Sequence, residues 1–122
     1  MPQGIDTVEI SRIEKLIEDL DREGLLRFFT EAELKDAGEG ANRAEKLAAR
    51  FAAKEACCKL FPKEICLGTI EPVDFSVMKN PYGQPGIQPS ERARAVMNLY
   101  RVHEIELSMT HTTSSATAIA SA

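Results

Sequence analysis

Apolar residues along the first twenty positions alternate and then fall into a helical period. Asp6, Val8 and Ile10 share one face of an extended run from Gly4 to Ile10, and Ile5, Thr7 and Glu9 share the other. From Ser11 onward Ile13, Leu16, Ile17 and Leu20 repeat at helical spacing, and Ser11 with Glu14 has the spacing of a capping box. The pattern predicts a strand and then a helix that leaves Arg12, Lys15 and Arg22 facing outward. A second box at Thr30 and Glu33 predicts a short helix to about Asp36, ended by the stretch Gly38 to Gly40. The alanine-rich run from Asn42 to Phe61 predicts the longest helix, with Ala44, Leu47, Ala48, Phe51 and Cys58 along one stripe and Pro62 ending it.

Beyond Pro62 the period returns to two. Val73, Phe75 and Val77 alternate as a strand, and Asn80, Pro81, Tyr82, Gly83 and Gln84 have turn chemistry before Gly86 and Ile87. Ser90 to about Tyr100 predicts a helix, Ile105, Leu107 and Met109 a strand, and Ala116 to Ala120 a last strand reached through a hydroxyl-rich turn at Thr112 to Ser115. Helices and strands interspersed with short connections give an α+β class, with residues 1–122 as a single small domain.

Composition narrows the function. With 122 residues, 43% of them hydrophobic, the chain can close one modest core. A formal net charge of −4 argues against a nucleic-acid-binding class, so any basic patch must be local. No apolar run approaches the roughly 20 residues that span a bilayer, and no secretory signal opens the chain, so a cytoplasmic protein without a membrane partner is expected. Met1 so close to the first motif favours a standalone protein. Cys57, Cys58 and Cys66 are too few and too poorly spaced for a disulfide framework or, with two histidines, a zinc site. Cys58, on the core stripe, reads as a small hydrophobe.

Three polar residues fall where periodicity expects apolar ones, and a buried charge must be paired, hydrogen-bonded or bound to a metal. Asp6 lies on the face of Val8 and Ile10, Glu55 near the centre of the long helix's apolar stripe, and His111 on the face set by Ile105, Leu107 and Met109. Each has a plain alternative. Asp6 can be a solvated strand-edge carboxylate, Glu55 can pair with Lys59 four residues on, and His111 can be a satisfied strand-end histidine. Taken together, two carboxylates without soft ligands suit a hard cation such as magnesium, with manganese as a substitute. Lys54 and Lys59 beside Glu55 supply point charges for phosphate oxygens, which points to phosphoryl-group chemistry.

The segments GIDTVEISRI (Gly4 to Ile13), RFAAKEACCK (Arg50 to Lys59) and SMTHT (Ser108 to Thr112) resemble, in order and separation, the signature segments of the holo-acyl-carrier-protein synthase type of phosphopantetheinyl transferase. Shorter matches at Phe29 to Leu34 and at the Gly83 to Pro85 turn extend the resemblance over nearly the whole chain. It implies an α+β fold with a long central helix packed on an antiparallel sheet. It also implies a homotrimer whose active sites lie between subunits, and an enzyme that moves phosphopantetheine from coenzyme A to a serine of an acidic acyl carrier protein in fatty acid or related biosynthesis. In that frame Asp6 and Glu55 hold magnesium with the coenzyme A pyrophosphate, and Lys59 neutralises charge on the transferring phosphate. Arg50 and Lys54 lie near the coenzyme, Ser108, His111 and Thr112 contact its phosphates, and Gly83 and Pro85 border its nucleotide. Arg12 meets the carrier protein, and Lys15 and Arg22 either extend that patch or form an ordinary solvated face.

Two positions depart from the family pattern: Pro62 stands where many relatives have glycine, and Ser115 where an aromatic residue often follows the histidine segment. Three other functions compete. One is a non-catalytic carrier-binding scaffold, which the intact acidic pair and Lys59 oppose. Another is a magnesium-dependent nucleotide hydrolase, which would need no carrier. The last is a transferase serving a specialised carrier, which no residue here separates from one serving fatty acid synthesis.

Overall fold

The computed structural model describes residues 2–122. In chain order the elements are β1 (Gln3–Glu9), α1 (Ile10–Asp19), α2 (Arg22–Leu25), α3 (Glu31–Ala37), α4 (Arg43–Cys58), α5 (Lys63–Gly68), a 3-10 turn (Pro72–Asp74), β2 (Phe75–Lys79), β3 (Pro85–Pro89), α6 (Glu91–Leu99), β4 (Glu106–His111) and β5 (Ser115–Ser121). The strands form two antiparallel sheets, one ordered β1-β5-β4 and the other the β2–β3 hairpin. The α+β class and the long helix packed on an antiparallel sheet are as the sequence predicts.

α4 is the axis of the molecule. The three-stranded sheet covers one side of it, while α1, α3 and β2 pack against others. The alanines explain the closeness: Ala48, Ala52, Ala53 and Ala56 have no bulk beyond Cβ and are wholly buried. From Leu47 to Cys58 only Ala49 and Glu55 keep partial access to solvent, so the helix is buried almost all round rather than along one stripe. β1 crosses it at a point only glycine allows, since a Cβ at Gly4 would lie 2.0 Å from the Ala56 carbonyl oxygen. Phe28, Phe29 and Phe51 cluster on the side of α3, and Phe61 stacks on Phe75 near the hairpin.

Several expectations need correction at element ends. α1 starts at Ile10 with Glu9 at the N-cap and no side-chain cap, so Ser11 and Glu14 form no capping box. α1 stops at Asp19, and Arg22 opens a separate short helix capped by Asp21. The long helix ends at Cys58 rather than Phe61, and Pro62, with its fixed φ, becomes the N-cap of α5, which the sequence pattern did not reveal. Val73 belongs to the 3-10 turn, and its strand starts at Phe75. The Thr30 and Glu33 box, the Asn80 to Gln84 hairpin turn and the Thr112 to Ser115 turn form as expected.

Candidate active site

β1 and the end of α4 bring three charged groups together. Asp6 points inward from β1, as alternation predicts, but its side chain keeps 20% of its exposure because it sits at the rim of the helix rather than over it. Lys59, the C-cap of α4, donates from Nζ to Asp6 Oδ1 at 3.0 Å and to the Ile5 carbonyl at 3.1 Å. Glu55 lies one turn before Lys59 on the same helix. Its pKa is raised, first by desolvation and then by the nearby Asp6 carboxylate, with Lys59 and Arg12 opposing. Lys59 therefore bonds Asp6 rather than Glu55, and among the described residues no cation forms an ion pair with Glu55.

That arrangement suits a divalent cation. Two convergent carboxylates, one destabilised by its neighbour, would both gain from a hard ion between them, which favours the charged forms. No third histidine, cysteine or acid joins them among the described residues. The other positions of an octahedral magnesium would fall to water and phosphate oxygens, a common division of ligands for this ion.

A second group of residues lines a hollow of about 330 Å³ over the first half of α4. Its walls carry Glu45, Lys46 and Arg50 from α4, Lys79 from the end of β2, and Met109, Thr110 and His111 from β4. Arg50 is 3% exposed and bonded to Asp36 and to the Lys46 carbonyl, while its buried Nε has no hydrogen-bond partner among the described residues. His111 is exposed at the rim of the sheet, with Nδ1 3.3 Å from the Thr112 carbonyl. Arg50 and His111, paired only by resemblance, thus meet at one basic hollow in a chain of net negative charge.

The remaining expected residues divide. Ser108 lies on the opposite face of β4 from His111, beside Ile119 of β5, so one chain does not bring the two together. Thr112 uses its hydroxyl to accept the N–H groups of Ser114 and Ser115, and so shapes the turn. Gly83 takes φ +80 at the hairpin tip, and Pro85 lines a larger groove between β3, α6 and β4. Arg12 rests over the Phe51 ring at 5.3 Å and is close enough to act on Glu55. Lys15 and Arg22 are exposed and paired with Asp19 and Glu31.

Lys54 differs most from its expected place. It is wholly buried, its ammonium held by Glu33 and the Phe75 carbonyl, and its pKa is lowered by desolvation against the pull of Glu33. A coenzyme cannot reach it, because every neighbour of the ammonium is core. Sequence reading took Glu33 only as a helix cap and gave no weight to Asp36, Lys46 or Lys79. Glu33 and Asp36 lie three residues apart on α3, and a charged pair at that spacing opposite Arg50 and Lys54 was the available signal. Pro62 caps α5 and Ser115 opens β5 opposite Glu9, so neither departure touches the carboxylate pair.

Comparison with known proteins shows the family and the fold. The model of the 4'-phosphopantetheinyl transferase superfamily matches residues 2–120. The chain is 33% identical over 116 residues to the holo-acyl-carrier-protein synthase of Syntrophus aciditrophicus, covering 95% of this chain and 90% of that protein. It is 38% identical over 117 residues to the one from Moorella thermoacetica, covering 96% and 89%. Among solved structures it superposes with a TM-score of 0.77 and 26% identity on the Helicobacter pylori holo-acyl-carrier-protein synthase in complex with coenzyme A, covering 97% of this chain and 96% of that one. The Neisseria meningitidis synthase, at 24% identity, shares the fold with a TM-score of 0.85 over 98% and 94% of the two chains.

Proposed function

The chain belongs to the 4'-phosphopantetheinyl transferase superfamily, and from that premise we propose that Asp6, Glu55 and Lys59 carry its chemistry. The enzyme is a holo-acyl-carrier-protein synthase in kind: it transfers the 4'-phosphopantetheine moiety of coenzyme A to a serine of an apo acyl carrier protein, with coenzyme A as co-substrate. The observation that supports the residue assignment is the open rim where two carboxylates converge beside one lysine ammonium.

In the reaction the serine oxygen forms a bond to the β-phosphorus of coenzyme A. The bond from that phosphorus to the bridging oxygen breaks, and the oxygen leaves on adenosine 3',5'-bisphosphate. The serine proton passes to a base at the rim, for which Asp6 and Glu55 are the candidates from this chain. Magnesium, held by Asp6 and Glu55, would offset charge on the pyrophosphate. Lys59 supplies a fixed positive charge beside it, and positioning with charge stabilisation is most of what such transfers need. His111, Lys46 and Lys79, all exposed around the hollow, provide donors for a coenzyme phosphate away from the rim, with the buried Arg50 adding its positive charge from the wall. Arg12, exposed next to Glu55, is suited to meet an acidic carrier as its serine enters, with Lys15 on the same helix able to extend the contact.

The same reading makes a homotrimer the working unit, with Ser108, Gly83 and Pro85 facing a neighbour's coenzyme. The exposed cross-strand pair Ile5 and Ile119 gives the outer sheet face an apolar centre that a second copy would cover. We take the setting to be cytoplasmic; three free thiols suit a reducing compartment, and no described helix is long and apolar enough to cross a membrane.

Intact mass of an apo acyl carrier protein after incubation with the enzyme, coenzyme A and magnesium tests the proposal. A gain of one phosphopantetheine, abolished by a chelator and by Glu55→Gln, is expected. Release of adenosine 3',5'-bisphosphate without a carrier would instead mark a hydrolase, and a gain unaffected by Glu55→Gln would sink the assignment.

A further inference from the structure

One buried charge pair has no part in the chemistry above. Glu33 and Lys54 are both wholly removed from solvent and bonded to each other. Such a pair adds little net stability, because desolvation offsets the attraction, so its connections are more informative than its strength. Glu33 Oε1 accepts from Thr30 N at 2.9 Å as well as from Lys54, and Oε2 accepts from Val77 N at 2.9 Å. Lys54 Nζ donates to the Phe75 carbonyl at 3.1 Å, and the Thr30 and Ser76 hydroxyls meet at 2.8 Å. β2 is therefore held by its carbonyl from α4 and by its N–H from α3.

Both ends of this clamp lead to the basic hollow. Arg50 is one turn before Lys54 on α4, and Lys79 is two residues beyond Val77 on β2; each lines that hollow. Past Lys79 the chain enters the turn that carries Gly83 and Pro85. The β2–β3 hairpin belongs to a separate sheet from β1-β5-β4, so no backbone ladder to that sheet fixes Lys79 opposite Arg50. The clamp does.

We infer that Glu33 and Lys54 are positioning residues for coenzyme A: they hold the β2–β3 hairpin at the spacing from α4 at which the exposed Lys79 and Lys46 take one anionic group in the hollow. This rests on the reading of the hollow as a coenzyme phosphate site. Neither residue touches the coenzyme; each acts through the segment it anchors.

The test replaces the charged pair with a neutral one, Glu33→Gln with Lys54→Met, and measures the Kd for coenzyme A by calorimetry, the KM and kcat of transfer, and amide hydrogen exchange. The expected result is a folded protein whose Kd and KM for coenzyme A rise by about tenfold, with kcat at saturation within about threefold and faster exchange confined to Phe75 to Lys79. A Kd within about twofold of the parent overturns the inference, as does lost protection spread equally into β5, the signature of a merely structural role. Should the double variant not fold, the parent protein decides. By reciprocity, coenzyme A must then slow exchange at Val77 more than at Ala118 in the other sheet, and equal slowing overturns the inference. A parent that binds coenzyme A but modifies no carrier would end the transfer reading and leave this comparison intact on Kd.

Discussion

Lys54 and Glu55 are neighbours in sequence, yet they belong to two charge clusters with opposite characters. Lys54 and Glu33 are closed off at 0% exposure, with the ammonium bonded to Glu33 and Phe75 and both carboxylate oxygens occupied. Glu55, Asp6 and Lys59 sit at a rim where Lys59 keeps half its exposure and Glu55 forms no ion pair among the described residues. The first cluster is complete within the protein, and the second is the one we propose a metal ion completes. A single helix carries both because successive side chains point about 100° apart, so one turns into the core as the next turns to the rim. Satisfaction of hydrogen bonds, more than charge or burial alone, separates a structural ion pair from a reactive one.

Variants can break that contrast from either side. Lys54→Met leaves the Glu33 carboxylate buried without a cation and should lower unfolding stability by about 4 kcal/mol in a urea titration. If stability held while turnover vanished, the two clusters would have exchanged roles. Gly4→Ala strikes the other region through its backbone, since the new Cβ must push β1 off α4 at Ala56. A loss of about 3 kcal/mol, with transfer falling further than the residual folded fraction explains, is expected from denaturation curves run beside the mass assay. Glu55→Gln should cut transfer about 100-fold while leaving the unfolding midpoint unchanged or higher, because it removes a charge the apo rim does not satisfy.

The smallest effect sharpens the contrast at a third carboxylate. Burial works to raise the pKa of Asp74, but bonds from Arg92, the Glu71 backbone and Ser90 outweigh it and hold the group below its usual 3.8. A depressed folded pKa gives stability that is present above the unfolded value and fades as pH falls through the folded one. Asp74→Asn should therefore flatten the stability curve below about pH 4 and change nothing in transfer at neutral pH. A loss of stability that is equal at all pH values would show that the charge is irrelevant there.

Much of this was legible from the chain. Alternation put Asp6 on the inner face of β1, helical spacing put Glu55 and Lys59 one turn apart, and turn chemistry located the hairpin. What stayed hidden depended on distance. Lys54 looked equivalent to Lys59 because its partner, Glu33, lies 21 residues away on another helix. Periodicity marked one stripe of α4, whereas alanine lets neighbours approach from several sides, so the buried fraction of that helix was underestimated. His111 continued an apolar alternation yet is exposed, because β4 is an edge strand whose end borders the open hollow over α4. Cys58, by contrast, read as a small hydrophobe and is one: it lies in the core, where burial pushes its thiol pKa up.

Strand order also governs the timing of assembly. Among the described strands β1 is hydrogen-bonded to β5 alone, and the Thr7 and Thr117 hydroxyls that meet across that pair are separated by 110 positions. On the ribosome α1, α3 and α4 can form as they emerge, but Asp6 has no strand to lie against until β5, made last of the described strands, has been released. The enzyme therefore gains its acidic rim in a late step, and closing so long a loop sets a slower pace than its helices alone would.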